Sequence, residues 1–164
     1  MFTTKHLDKV LGEIRGLHAK SIYSPKKNLT TYRLSRMSSQ YRGAAIERMV
    51  RNYYRSKGKI VEYFGGTNPF DMRVNGRRIE VKSSLATASV VGGNLRYSYQ
   101  FQNIKTENFD MLVLVYVSPE GFSVRCMSKQ TAEKYLANSN YYSNGQTLYV
   151  GRTVKSLAGR VLTA

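Results

Sequence analysis

Hydrophobic residues recur at three- and four-residue spacing in two parts of the N-terminal half of the chain, residues 1–18 and residues 44–56. This spacing is typical of one face of an amphipathic helix. In the second part it is formed by Ile46, Met49, Val50, Tyr53 and Tyr54. Gly58 follows, as expected just past the end of a helix. The pattern therefore predicts helices at 1–18 and at 44–56.

Hydrophobic and polar residues alternate on both sides of Asn75-Gly76. This dipeptide between two alternating segments, 70–74 and 77–82, is a strong signal for a β-hairpin, because both turn residues tolerate a positive φ. A two-residue turn makes Met72 face Ile79 and Asp71 face Glu80. Alternation also gives the hairpin a charged face with Asp71, Glu80 and Lys82. The opposite, apolar face contains Phe70, Met72, Val74, Ile79 and Val81.

The remaining hydrophobic segments are short and have the length of strands. They cover residues 59–64, 95–101, 111–117, 122–127 and 148–150. A further helix is predicted at 129–137, and loops are predicted at 83–94 and 138–146. This order predicts an α/β (α+β) fold, a mixed β-sheet flanked by helices. The 164 residues fit one domain, with an N-terminal helix and basic arm (1–42), a core (43–137) and a polar and basic C-terminal extension (138–164).

The chain has 26 lysine and arginine residues against 10 aspartate and glutamate residues, a formal net charge of +16. This charge favours a polyanionic partner, because its field attracts phosphate-rich molecules. The 41% of hydrophobic residues argues against a disordered basic tail. One cysteine and two histidines exclude an internal disulfide and a zinc site of usual spacing. No hydrophobic run approaches the roughly 20 residues of a membrane span, so we expect an intracellular protein without a membrane partner.

Asp71 and Glu80 are unusual in this basic chain, because two of only ten acidic residues are predicted to meet across one hairpin. Opposed carboxylates repel each other, so the pair needs a compensating positive charge. Mg²⁺ supplies such a charge and typically binds one or two carboxylates, several waters and a phosphate oxygen. Lys82 lies on the same face, where it would orient a water or stabilise charge on a phosphate. This combination suits the hydrolysis of a phosphodiester.

Pro69-Phe70-Asp71, followed after eight residues by Glu80-Val81-Lys82, resembles the signature of the PD-(D/E)XK nuclease superfamily. The resemblance covers about residues 42–117 and implies a restriction-endonuclease-like core with the order helix-β-β-β-(α)-β. It implies that Asp71, Glu80, Lys82 and the helix residue Glu47 are catalytic. It also implies a cofactor, Mg²⁺ with Mn²⁺ as a substitute, bound by Asp71, Glu80, Val81 and Glu47, and no small-molecule cofactor.

Two kinds of nuclease in that superfamily share features with this chain. Residues 42–84 look like archaeal-type Holliday junction resolvases, whereas residues 96–103 and 109–115 look like small restriction and phage-borne site-specific endonucleases. Basic, polar and aromatic segments around the core favour the site-specific endonuclease. Cutting two strands requires two active sites, so a homodimer is expected. The resemblance implies the cytoplasm of a bacterial, archaeal or phage-infected cell.

The residues predicted to contact DNA form two groups. Basic side chains of the arm suit phosphate contacts without sequence information: Lys20, Lys26, Lys27, Arg33, Arg36 and Arg42. Amide side chains can pair with adenine edges: Gln100, Gln102, Asn103, Asn140 and Asn144. A non-enzymatic nucleic-acid-binding protein, such as a ribosomal or nucleoid protein, explains the net charge equally well. It gives no reason, however, for Asp71 to face Glu80.

Overall fold

A computed structural model describes residues 22–64, 66, 68–91, 94–137 and 145–153. The predicted helix at 1–18 lies outside these residues, as do Lys20, Asn140 and Asn144. The described helices are α1 (Leu29–Arg36), α2 (Ser39–Ser56) and α3 (Lys129–Leu136), with a 3₁₀ helix at Thr106–Asn108. The described strands are β1 (Val61–Tyr63), β2 (Met72–Val74), β3 (Arg77–Leu85), β4 (Thr87–Val91), β5 (Asn94–Ile104), β6 (Met111–Val117), β7 (Phe122–Ser128) and β8 (Gln146–Thr153).

The described strands form two sheets, one of five strands in the order β1-β2-β3-β6-β7 and one of three in the order β4-β5-β8. β3 and β6 run parallel, whereas the other neighbouring strands are antiparallel. The predicted α/β (α+β) class with a mixed sheet is therefore confirmed. The element order implied by the resemblance, helix-β-β-β-(α)-β, allows a helix before the last core strand. In the described residues, β4, β5 and the 3₁₀ helix occupy that part of the chain.

The loop prediction for residues 83–94 is wrong for the described part of that range, 83–91 and 94, most of which lies in strands. β3 continues to Leu85, because Ser83 and Ser84 pair with Val115 and Tyr116 of the parallel strand β6. β4 then follows at Thr87–Val91 and pairs with β5. Small and polar residues predict a loop when they are considered alone. Pairing with distant strands decides their conformation here, since strand preference depends strongly on neighbouring strands.

The basic arm also contains helical structure that the sequence pattern did not predict. α1 covers Leu29–Arg36, and the side chain of Asn28 caps it by accepting a hydrogen bond from the N–H of Thr31. α2 begins at Ser39 rather than at residue 44, and the side chain of Ser38 caps it by accepting from the N–H of Tyr41. Asparagine and serine are preferred at this position because they satisfy free backbone N–H groups. These two caps were the available signals.

One buried hydrophobic cluster includes residues of both sheets and of α2. Tyr116 of β6 packs edge-on against Tyr99 and Phe101 of β5, with ring centroids 5.0 and 4.9 Å apart. These contacts fix the three-stranded sheet against the five-stranded one, since edge-to-face aromatic pairs are favourable at such distances. The division into one domain with two extensions stays a prediction. None of the described helices is long and apolar enough to cross a membrane.

Candidate active site

The β2–β3 hairpin has the predicted register in its three ladder pairs, including Met72 with Ile79. Asn75 and Gly76 form the turn with φ values of 48° and 81°, as this type of tight hairpin requires. The predicted apolar face is buried, namely Phe70, Met72, Val74, Ile79 and Val81. The hairpin therefore forms the rigid base on which the charged residues lie.

Asp71 departs from the predicted pairing, because the ladder ends at Met72 and Ile79. The N–H of Asp71 donates to the Ile79 carbonyl oxygen at 3.1 Å. The Oδ2 atom of Asp71 accepts a hydrogen bond from the N–H of Val81 at 2.7 Å. Aspartate side chains compete in this way with backbone pairing. The carboxylate thus takes the Val81 N–H and is held in a fixed position beside β3.

Glu80 and Lys82 lie two residues apart on β3 and form an ion pair, with 2.6 Å between Glu80 Oε1 and Lys82 Nζ. Their side chains are 12% and 22% exposed, respectively. Burial raises the pKa of Glu80 to about 7, and the negative charge of Asp71 also raises it, whereas Lys82 lowers it. Burial likewise raises the pKa of Asp71, against the opposing effects of the Val81 N–H and of Lys82. The two carboxylates therefore share one partly desolvated environment.

Glu47 of α2 joins the same cluster. Burial raises its pKa to about 7, and the negative charges of Asp71 and Glu80 also raise it. The Tyr63 hydroxyl donates a hydrogen bond to Glu47 Oε2 at 3.1 Å, which lowers that pKa, as does Lys82. The structure therefore brings Glu47, Asp71, Glu80 and Lys82 together, although they come from three separate segments of the chain.

This cluster, from here on the acidic cluster, contains the carboxylates of Glu47, Asp71 and Glu80 and the ammonium of Lys82. When all four groups are charged, two negative charges remain, which a divalent cation would balance. As arranged, no three carboxylate, histidine or cysteine side chains in the described ranges form a ready set of metal ligands. Mg²⁺ needs fewer, because one or two carboxylates with waters and a phosphate oxygen are sufficient. The chemistry of the cluster therefore fits Mg²⁺. Val81 orients Asp71 through its N–H, and its part in binding the metal stays a prediction.

A cleft of about 620 Å³ opens between the start of α2 and strands β3, β4 and β5. Glu47 and Lys82 line it together with the predicted DNA-contacting residues Arg42, Gln100, Gln102 and Asn103. Asn103 has a φ of 58° at the irregularity of β5 between Phe101 and Ile104. Bulges of this kind bend a strand and change the direction of its side chains. The predicted amide residues thus border the same cavity as Glu47 and Lys82 of the acidic cluster.

The basic residues of the arm are less closely related to the cleft. Arg42 alone among the described predicted basic residues lines it. Arg42 Nη1 donates to the Met37 carbonyl oxygen at 3.2 Å, and its Nε is buried without a hydrogen-bond partner in the described ranges. Arg36 donates to the Tyr32 hydroxyl at 2.6 Å instead. The others do not border the cleft, with Lys26 and Lys27 exposed in a turn and Arg33 on α1.

Two residues near the cluster were not found from the sequence. Tyr63 holds Glu47 across 16 positions, and Ser84 accepts a hydrogen bond from the backbone N–H of Gln100 at 2.9 Å. Both contacts depend on how α2, β1, β3 and β5 pack together. No local pattern around either residue signals such a contact.

Glu80→Gln is expected to stabilise the metal-free protein near pH 8 by about 1 kcal/mol. The folded-state pKa of Glu80 is raised to about 7, so the folded protein holds this proton more tightly than the unfolded chain does. The stability that protonated Glu80 gives is fully present below the unfolded pKa and is lost as pH rises through about 7. Glutamine carries no charge to bury, so the variant avoids that loss. Chemical unfolding in EDTA at about pH 8 and about pH 5 measures the difference, which should shrink at the lower pH.

Glu133→Gln on α3 is the matched control. Glu133 is exposed, and its ion pair with Lys129 is a long surface pair, with 3.9 Å between Oε1 and Nζ. Its effect should stay within about 0.5 kcal/mol at both pH values. A Glu80→Gln protein that is less stable than the natural one at both pH values would show that burial of the charged Glu80 carboxylate does not destabilise the fold.

Comparisons with known proteins add little to this geometry. No protein-family model matches the chain, and no curated protein matches it. Among solved structures, the chain is similar to a bacterial homing endonuclease, I-Ssp6803I, with a TM-score of 0.43 and 18% sequence identity, over 69% of this chain and 75% of that chain. A likeness this distant carries no argument about activity. The function is therefore inferred from the arrangement of the residues themselves.

Proposed function

We propose that the protein is a Mg²⁺-dependent DNA endonuclease that hydrolyses phosphodiester bonds. The observation that supports this most strongly is the cluster of three carboxylates with Lys82, of which Glu47 and Lys82 line a polar cleft. Clusters of carboxylates with raised pKa values in a cleft are typical of functional sites. A protein that only binds nucleic acid gains nothing from burying like charges together.

The roles of the residues follow from their positions. When bound, Mg²⁺ supplies a positive charge that polarises the phosphate. Asp71 and Glu80 would hold the ion, with Asp71 oriented by the Val81 N–H, and Glu47 would add a third negative group, oriented by Tyr63. In hydrolysis, water adds to phosphorus and one bridging P–O bond breaks, leaving one end with a phosphate and the other with a hydroxyl. Lys82 would donate to the phosphate oxygens as their negative charge increases.

DNA as the substrate is supported by the net charge of +16 and by the cleft wall. Arg42 suits phosphate contacts and the amides of Gln100, Gln102 and Asn103 suit base edges. Cleavage of both strands at a site requires two catalytic centres, and we propose a homodimer for that reason. DNA contacts of this kind release counterions, so binding should weaken steeply with salt.

The substrate preference is tested by incubating the full-length protein with genomic DNA and with a synthetic four-way junction, in Mg²⁺ and in EDTA. A site-specific endonuclease gives discrete fragments from genomic DNA in Mg²⁺ and no preference for the junction. A clear preference for the junction would instead support a Holliday junction resolvase. Cleavage of neither substrate in Mg²⁺ would contradict the proposed function.

A further inference from the structure

The outer face of the three-stranded sheet has a composition unlike that of its inner face. On β5 the aromatic residues Tyr97, Tyr99 and Phe101 are at most 2% exposed, and the residues between them point to solvent. The strand pairings bring residues of β4 and β8 onto the same outer side. This outer face consists of Thr87, Ser89, Arg96, Ser98, Gln100, Gln102, Tyr149 and Gly151.

The outer face offers hydrogen-bonding groups without negative charge. β4, β5 and β8 contain no aspartate and no glutamate, so nothing on these strands repels a polyanion. Tyr149 is 72% exposed, and its hydroxyl accepts a hydrogen bond from Gln100 Nε2 at 3.0 Å. That bond orients the Gln100 amide and leaves its oxygen and second N–H available.

The β8 edge of the face is also low, because Gly151, which has no side chain, lies opposite Ser98 of β5. A Cβ atom built on Gly151 meets no atom of the described residues within 4 Å. The low β8 edge lets another molecule approach the backbone closely, and the open space provides a position at which the face can be altered without disturbing the packing of the described residues.

The outer face is fixed relative to the acidic cluster. Ser84 lies two residues after Lys82 on β3, and its Oγ accepts a hydrogen bond from the backbone N–H of Gln100 at 2.9 Å. Thr87 and Gln100 line the same cleft as Lys82. A molecule bound to the outer face would therefore extend directly into the cleft.

We propose that the outer face enters the major groove of duplex DNA and reads base pairs there, a proposal that rests on the proposed endonuclease function. Neighbouring strand axes are about 4.8 Å apart, so the axes of the two outer strands, β4 and β8, are roughly 10 Å apart. The major groove is about 12 Å wide, and β-strands can enter it to read base edges. Gln100 suits adenine and Arg96 suits guanine, because their side chains match the donor and acceptor patterns of those bases.

The first test places a negative charge on the outer face, at its β8 edge. Gly151→Glu should weaken binding of the full-length protein to duplex DNA in EDTA by about tenfold or more, because the carboxylate would face the DNA. Gln130→Glu on α3 is the matched control, since it changes the charge by the same amount at an exposed position that does not belong to the outer face. Equal affinities of the two variants, with unchanged thermal unfolding, would overturn the proposal.

The second test measures base preference directly. Duplexes bound by the natural protein are selected from a randomised library in EDTA, and the selection is repeated with Gln100→Ala, Arg96→Ala and the control Gln130→Ala. The first two variants should each lose preference at one base pair by about fivefold or more, and the control should lose none. Unchanged preferences in all variants would mean phosphate contacts only and would overturn the proposal. Because no cleavage is needed, this result is independent of any failure to cut DNA in Mg²⁺, which would contradict the endonuclease function instead.

Discussion

Asp71→Asn is expected to reduce Mg²⁺-dependent DNA cleavage by about 1,000-fold while DNA affinity changes less than about threefold. The substitution keeps the size of the side chain and removes the charge that would hold the cation. The amide oxygen can still accept the Val81 N–H that orients Asp71, so the hairpin should remain intact. Cleavage of a labelled duplex and binding in EDTA measure the two effects separately.

Asp110→Asn is the matched control for this experiment. Asp110 also accepts a backbone N–H from β3, that of Arg78 at 2.9 Å, and pairs with the Arg78 guanidinium at 2.8 Å. It is exposed and does not line the cleft. Its replacement should cost a little stability and leave cleavage unchanged at temperatures where the protein is folded. Comparable cleavage rates for the natural protein and Asp71→Asn would show that cleavage does not require the charge of Asp71.

Lys82→Ala should lower the cleavage rate by about 100- to 1,000-fold, because the proposed donor to the phosphate oxygens is lost. DNA affinity should change little, since Lys82 is one of 26 basic residues. The variant also leaves the buried carboxylate of Glu80 without its ion-pair partner. It should therefore be less stable than the natural protein near neutral pH, so single-turnover rates are to be measured at a temperature where unfolding curves show both proteins folded.

Lys129→Ala provides the corresponding control. Lys129 also pairs with a glutamate, but at 3.9 Å and with both side chains well exposed. Its loss should affect neither the rate nor the stability measurably, as is usual for surface ion pairs. A Lys82→Ala protein that cleaves as fast as Lys129→Ala would exclude Lys82 from transition-state stabilisation.

The β2–β3 hairpin could be predicted in detail because its determinants are local. Asn75-Gly76 specifies a two-residue turn, and the turn fixes which residues face each other. The orientation of Asp71 could not be predicted in the same way. Its carboxylate competes with the backbone for the N–H of Val81, and the outcome depends on side-chain geometry that alternation does not describe.

The position of Glu47 beside the hairpin could not be predicted from the pattern of residues alone. Its helix was predicted from spacing, but the approach of that helix to β3 depends on packing between distant segments. The role of Glu47 therefore came from the resemblance to a nuclease superfamily, and the structure independently places its charge near Asp71 and Glu80. The role itself stays a prediction.

One strand of the second sheet, β4, was not predicted for a related reason, whereas the predicted strands 95–101 and 148–150 lie within β5 and β8. β4 consists of small and polar residues that favour a loop when considered alone, and its extended form arises from pairing with β5. Gln100 and Tyr149 lie 49 positions apart and meet only because β5 pairs with β8. The amide residues were recognised as possible DNA contacts, but the surface that contains them required the three-dimensional arrangement.

The central claim is tested most directly by incubating the full-length natural protein with supercoiled plasmid DNA in Mg²⁺ and in EDTA. The arrangement of the acidic cluster predicts conversion to nicked or linear DNA in Mg²⁺ and none in EDTA, because the charge of the cation is needed at the phosphate. Equal conversion in EDTA, or no conversion in Mg²⁺ of plasmid, genomic and junction substrates that the protein binds, would contradict a metal-dependent nuclease.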